Sequence, residues 1–430
     1  MKELTYNRVN EKVYIDTLEN GLKVYMVEKP DFNKSYALFS TAYGSVDSEF
    51  IPIGEQDFVK VPDGVAHFLE HKLFDQENGE DVFEKFSEYS ASANAFTSFS
   101  KTAYLFSCTD HLEDNLSLLL DYVQSPYFTE ETVEKEKGII EQELKMYLDM
   151  PSEVLMLGIL ENLFHTNPVR IDVGGTVESI YQIDKDILYK CYNTFYHPSN
   201  MSLILVGNFD RDEIYTLIKD NQAAKTFEAF DGVVKKTVEE PAAVKTKSST
   251  INFNVQTPLS VVGIKTKNPY VETIDKVKRQ IAISILFDGL FAKSSSHYQK
   301  LVKEGIINDS FSYYYSEEPS FGYAMISCDT FKYQEFTSEI RNLLLTTSID
   351  EKNFNRIKKL KIGEYMNQFD SVDYIARQML FHLTNDYLMF DLLEELEKLT
   401  KSDFDAIIKE FITEEVISDC TVLNEKSLQS

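Results

Sequence analysis

The chain has 430 residues, 43% of them hydrophobic and 26% charged, enough for more than one core, because single cores stop growing near about 250–300 residues. A formal net charge of −27 argues against nucleic acid or an anionic membrane as partner, since phosphate binding rests on clustered Lys and Arg. No apolar run approaches the roughly 18 residues of a membrane span, the N-terminus lacks a leader's apolar stretch, and the four cysteines form no CxxC pair, so a soluble, cytoplasmic protein with reduced thiols is expected.

In chain order, VYIDTLENGLKVYMVEKP reads as a hairpin with a type I′ turn at Glu-Asn-Gly. SYALFSTAYGSV continues as a strand, and helices are expected over 63–75 and 80–89. Residues 92–108 are β-branched and aromatic and read as strands. Amphipathic helices follow over 111–123 and 130–149, and MSLILVGNF is a short buried strand. Residues 227–249 have many charges and no apolar periodicity, the composition of a linker. Beyond it come strands over 250–265, helices over 273–287 and 294–303, strands over 309–329, helices to 413 and a last strand over 415–423. The second half repeats the order of the first. The expectation is an α+β fold of two similar domains, each a mostly antiparallel sheet covered by helices, with domains at 1–226 and 250–430.

The chemistry concentrates in AHFLEHKLF. On a helix, positions i, i+3 and i+4 share a face, so His67, Glu70 and His71 converge. Two imidazoles can hold Zn²⁺, and the glutamate between them can take a proton from the attacking water. A catalytic zinc needs a third protein ligand. In VEKEKGIIEQELKMYLD, setting Glu136 at zero and advancing about 100° per residue places Val133, Ile140, Leu144, Tyr147 and Ile139 in one buried stripe. Glu143 and Glu136 fall inside that stripe, whereas Glu134 and Glu141 fall on the solvent side. A buried carboxylate requires a compensating partner, and a metal with its histidines supplies one, so Glu143 or Glu136 is the third ligand. The other five histidines, His111, His165, His197, His297 and His382, lack ligand spacing.

At this point the sequence resembles the pitrilysin and insulinase family of inverzincins, whose H-x-x-E-H reverses the usual zincin order. The resemblance runs through NGLKVYMVEKP, GVAHFLEHKLF, ASANAFTSFSKTAYLFS, EKEKGIIEQELKMYLD, GTVESI and YHPSNMSLILVGN, and is strongest to bacterial two-domain peptidases related to mitochondrial processing peptidase. It implies a peptide-bond hydrolase in which His67, His71 and Glu143 bind one Zn²⁺, Glu70 activates water and Glu136 supports the site from behind. It further implies that the strand holding Asn94 and Ala95 takes up an extended peptide as an added β-strand.

One departure bears on self-sufficiency. Active family members carry an arginine and a tyrosine in a second-domain stretch resembling LREKGLAY; here LVKEGIINDSF puts Val302 and Asn308 at those positions. Neither can replace the missing group, and strand alternation sends neighbours within Tyr313, Tyr314 and Tyr315 to opposite faces. The resemblance therefore implies a heterodimer with a zinc-free homologue that supplies the arginine and tyrosine, enclosing a chamber for short or unfolded peptides. The acidic balance would favour basic ones. The alternative is a processing or structural scaffold that keeps zinc but has no activity of its own.

Overall fold

The computed structural model describes residues 1–270, 272–346 and 348–424, and two units organise the chain, each around its own large sheet. The first half supplies β1 (Lys2–Tyr6), β2 (Glu11–Thr17), β3 (Lys23–Glu28), β4 (Ser35–Thr41), β5 (Glu49–Ile51), β6 (Val59–Lys60), β7 (Ala91–Thr97), β8 (Thr102–Cys108), β9 (Met201–Gly207) and β10 (Val234–Lys235). The main sheet runs β1-β2-β3-β9-β4-β8-β7, with β10-β5-β6 as a small separate ribbon. The second half supplies β11 (Ser248–Asn252), β12 (Leu259–Lys265), β13 (Ser312–Glu318), β14 (Phe321–Asp329) and β15 (Ile417–Leu423), ordered β11-β15-β12-β14-β13.

The second sheet repeats the topology of the β3-β9-β4-β8-β7 part of the first. Each contains a single parallel pair, β3 with β9 and β11 with β15. Each then continues antiparallel through a central strand, β4 or β12, to an outer hairpin, β8-β7 or β14-β13. This is the expected α+β architecture of two similar halves. All seven residues of β4 are buried, as a strand covered on both faces must be.

Five helices of the first half are α1 (Val65–Lys72), α2 (Val82–Glu88), α3 (Leu112–Val123), α4 (Glu130–Leu148) and α5 (Pro151–Leu163). In the first unit α1, α2 and α3 pack on β7, β8 and β4, and the helix Val372–Leu383 packs on β4 and β9. In the second unit α5 packs on β12 and β15, where the absence of a side chain at Gly263 admits Ile159, which would meet a Cβ there at 2.7 Å. The units are therefore discontinuous in sequence. The first comprises Met1–Leu144, Asp172–Lys236 and Met366–Phe390; the second takes Lys145–Ile171, Thr237–Tyr365 and the chain from Asp391. Each sheet obtains a covering helix from the other half of the chain, a placement that helical periodicity cannot reveal because it reports only that a face is apolar.

Two local expectations are corrected, the turn type at Glu19-Asn20-Gly21 and the burial of Ile139. The Glu19-Asn20-Gly21 turn is not type I′: Gly21 alone has positive φ, 90°, and Leu18 pairs with both Gly21 and Leu22, the pattern of a type I turn followed by a left-handed glycine. Within residues 227–249, β10 pairs with β5, and Glu240 accepts the main-chain N–H groups of His165, Thr166 and Asn167 at 2.7, 2.8 and 2.8 Å. Ile139 is 47% exposed, and the buried stripe of α4 consists of Val133, Lys137, Ile140 and Leu144. Lys137 lies there because its ammonium reaches out to Glu134 and to the Tyr181 carbonyl while its stem stays packed.

Candidate metal centre

Helix α1 buries Val65, Phe68, Leu69 and Lys72 against the sheet, which turns His67, Glu70 and His71 together towards α4. Its N-terminus is set by glycines. Gly64 has φ 92°, and a Cβ there would lie 2.3 Å from the Gly174 carbonyl oxygen. Gly175, at φ 82°, would place a Cβ 2.4 Å from the Asp63 carbonyl oxygen. The GTVESI segment thus holds the start of α1 by backbone-to-backbone contact that any side chain would break, and Ser179 Oγ adds a hydrogen bond to the Asp63 carbonyl at 2.7 Å.

Helix α4 brings its two carboxylates to different atoms. Glu143 Oε2 lies 3.8 Å from His67 Nε2 and 3.5 Å from His71 Nε2. Glu136 Oε1 lies 2.9 Å from His71 Nδ1. The sequence alone left Glu136 and Glu143 open as third ligand; the geometry separates them, with Glu143 facing the point where both Nε2 atoms converge and Glu136 behind the ring. Among the described residues, His67, His71 and Glu143 are the one group of His, Cys, Asp or Glu able to hold a metal ion, with ligand atoms within 4.8 Å of one another.

The donor set fits a zinc ion. Tetrahedral zinc with bonds of about 2.0–2.1 Å has ligand-to-ligand edges of about 3.3 Å, close to the two distances onto the shared Oε2. His71 donating its Nδ1–H to Glu136 fixes the tautomer whose Nε2 lone pair is free. Burial, reinforced by the neighbouring His71, pushes the His67 imidazole down to about 3, so it is neutral and can donate a lone pair. Its Nδ1 is buried without a hydrogen-bond partner among the described residues.

Glu70 differs from Glu143 in its surroundings. Burial raises its carboxyl above the ordinary value, opposed by Thr97 and His71, and Thr97 Oγ1 donates to Glu70 Oε2 at 2.6 Å. Sequence reasoning missed Thr97. The signal available was strand alternation: Ala91, Ala93 and Ala95 face the core that α1 joins, and Thr97 continues the series.

Asn94 and Ala95 lie on β7, the last strand of the sheet among the described residues. Ser98 N–H donates to the Lys101 carbonyl at 2.8 Å, so by antiparallel alternation the main-chain groups of Thr97, Ala95 and Ala93 point to the open edge. Asn94 Oδ1 accepts the outward N–H of Ala95 at 2.8 Å. In the second unit, Val302 is 43% exposed. Asn308 is committed to a local turn, donating to the Asp329 carbonyl at 2.7 Å and accepting from Ser310 N–H at 2.8 Å. Tyr313 and Tyr315 hydroxyls donate to Asp288 and Glu317 at 3.0 and 2.6 Å.

The two-sheet fold and the reversed H-x-x-E-H order define the class, a zinc-protease-like protein of the inverzincin kind. A family model described as insulinase, peptidase family M16, matches residues 57–177, and one described as the peptidase M16 inactive domain matches residues 182–361. The chain is 44% identical over 425 residues to a Bacillus subtilis (strain 168) protein named uncharacterized zinc protease YmfH, covering 98% of this chain and 99% of that one. It is similar in structure to a putative M16-like peptidase from Alicyclobacillus acidocaldarius, at 35% identity, TM-score 0.91, and coverage of 96% and 98% of the two chains. The fold is shared with a Helicobacter pylori protease at 18% identity and TM-score 0.82, covering 96% and 99%. The chain belongs to the insulinase family of peptidases, family M16, and is of the YmfH type. No described helix is long and apolar enough to cross a membrane.

Proposed function

We propose that this chain is a zinc-dependent endopeptidase or oligopeptidase of short or unfolded peptides, and the metal-bearing subunit of a heterodimer with a zinc-free homologue. The observation that carries this reading is the convergence of His67 Nε2, His71 Nε2 and Glu143 Oε2 within 4.8 Å, with Glu70 on the same helix face. One Zn²⁺ held by these three residues would supply Lewis-acid activation of water and of the scissile carbonyl. Glu70 takes the proton of the attacking water and passes it to the leaving amine. Its buried setting keeps the carboxylate poorly solvated, which favours that exchange. Glu136 holds the His71 ring and its tautomer. The open edge of β7 takes the peptide as an added strand, and the Asn94 carboxamide gives up the Ala95 N–H to the incoming main chain.

Replacing Glu70 with Gln should leave zinc content unchanged and abolish hydrolysis of internally quenched basic peptides. Normal cleavage by that variant would refute the general-base role.

The heterodimer rests on the second unit, where Val302 and the committed side chain of Asn308 offer no group for substrate or oxyanion. Turnover should therefore require a homologue supplying an arginine and a tyrosine. The same observation favours a second reading, a zinc-holding scaffold without turnover. Assaying the chain alone and then with its homologue separates the two. Buried, unpaired thiols suit a reducing compartment, so the proposal places the protein in the cytoplasm, which cell fractionation checks.

A further inference from the structure

Glu70 is anchored by a residue of the peptide-docking strand. Thr97 closes β7; its hydroxyl donates to Glu70 Oε2 at 2.6 Å, and its own main-chain N–H belongs to the outward-pointing set of that edge. The hydroxyl has no competing use. Its neighbour Thr102 Oγ1, 3.3 Å away and fully buried, already donates to the Tyr43 carbonyl at 3.0 Å. Thr102 therefore offers Thr97 only a lone pair at longer range, and the single Thr97 proton goes to the charged, closer acceptor.

We propose that Thr97 is a positioning residue for Glu70, fixing the carboxylate rotamer and tying it to the strand edge on which the peptide docks. The inference rests on the reading of Glu70 as base and deepens it. Thr97 joins two parts of the site through one residue: the backbone of Thr97 sets where an added strand lies, and its side chain sets where the base lies relative to that strand. A free carboxylate on α1 would sample other rotamers, and a misplacement of about 1 Å costs on the order of 100-fold in rate.

The test uses the full zinc-loaded chain, with its homologous partner where turnover requires it, and an internally quenched basic peptide as probe. Thr97→Val keeps the shape and removes the hydroxyl. It should lower kcat by about 10- to 100-fold, the usual loss when a supporting hydrogen bond is removed, while KM and zinc stoichiometry stay the same. Thr97→Ser should restore most of the rate. Wild-type kcat in Thr97→Val, a Thr97→Ser variant as slow as the valine variant, or loss of zinc would each overturn the proposal. A crystal structure of Thr97→Val gives a readout independent of turnover. A Glu70 carboxylate displaced by about 1 Å or more supports the anchoring, and an unmoved one refutes it. Wild type and Glu70→Gln cleaving equally, with the carboxylate displaced in Thr97→Val, would mean instead that the base assignment of Glu70 fails while the anchoring stands.

Discussion

Removing the Glu136 carboxylate should weaken zinc binding without abolishing it, and the size of the loss follows from the atom it touches. Glu136 Oε1 accepts from His71 Nδ1 at 2.9 Å, and its side chain is 14% exposed. Glu136→Gln can keep a neutral acceptor there and loses only the charge assistance; Glu136→Ala loses the bond and leaves a half-buried N–H without a partner. Charge-assisted bonds are worth about 1.5–3 kcal/mol against about 1 kcal/mol for neutral ones, so the glutamine variant should bind zinc about tenfold more weakly. The alanine variant should bind it about 10- to 100-fold more weakly. Glu143→Gln, which alters the oxygen shared by both Nε2 atoms, should lose considerably more. The assay is competition for zinc against a chromophoric chelator at fixed pH and ionic strength, with the apo-protein melting temperature as a check on folding. The reasoning fails if Glu136→Ala binds as tightly as wild type. It also fails if Glu136→Gln loses as much as Glu143→Gln, since Glu136 would then be a direct ligand.

Other outcomes follow from the same packing and charge arguments. Gly64→Ala should destabilise the protein by about 2–5 kcal/mol in urea unfolding, combining overpacking against the Gly174 carbonyl with left-handed strain. Gly79→Ala, also at positive φ but with nothing within 4 Å, should cost only about 1–2 kcal/mol. Burial works against a charged Glu240, yet the three N–H groups and Lys265 outweigh it and hold the carboxyl down to about 2. A depressed folded-state value supplies stability that is present above the ordinary value of 4.5 and lost as pH falls from there towards 2. Glu240→Gln should flatten that acid limb and cost on the order of 2–3 kcal/mol at neutral pH, measured by denaturant midpoints across pH. The thiols of Cys108 and Cys191, raised by burial to about 11 and 12, should be inert to a disulfide reagent until the protein unfolds; fast labelling of the native protein would contradict their burial.

Some of this was legible in the sequence for a plain physical reason. His67, Glu70 and His71 are three or four residues apart on one helix, so local geometry alone makes them converge. The buried faces of α4 also selected Glu136 and Glu143, because a carboxylate on an apolar stripe needs a partner. The order of strands and helices gave two similar halves, since strand alternation and helical period are properties of neighbouring residues. What the chain could not announce were relations between segments far apart. Which carboxylate meets both Nε2 atoms depends on the crossing of α1 and α4. The exposure of Ile139 and burial of Lys137 depend on what packs beside the helix. The helix Val372–Leu383 on the first sheet, Gly64 against Gly174, and Thr97 on Glu70 all join positions that share no periodicity. The sequence by itself determined that His67, Glu70 and His71 share one helix face and that Glu136 and Glu143 share another; only the tertiary structure decided which atoms face one another, because those distances are set by packing between elements rather than within them.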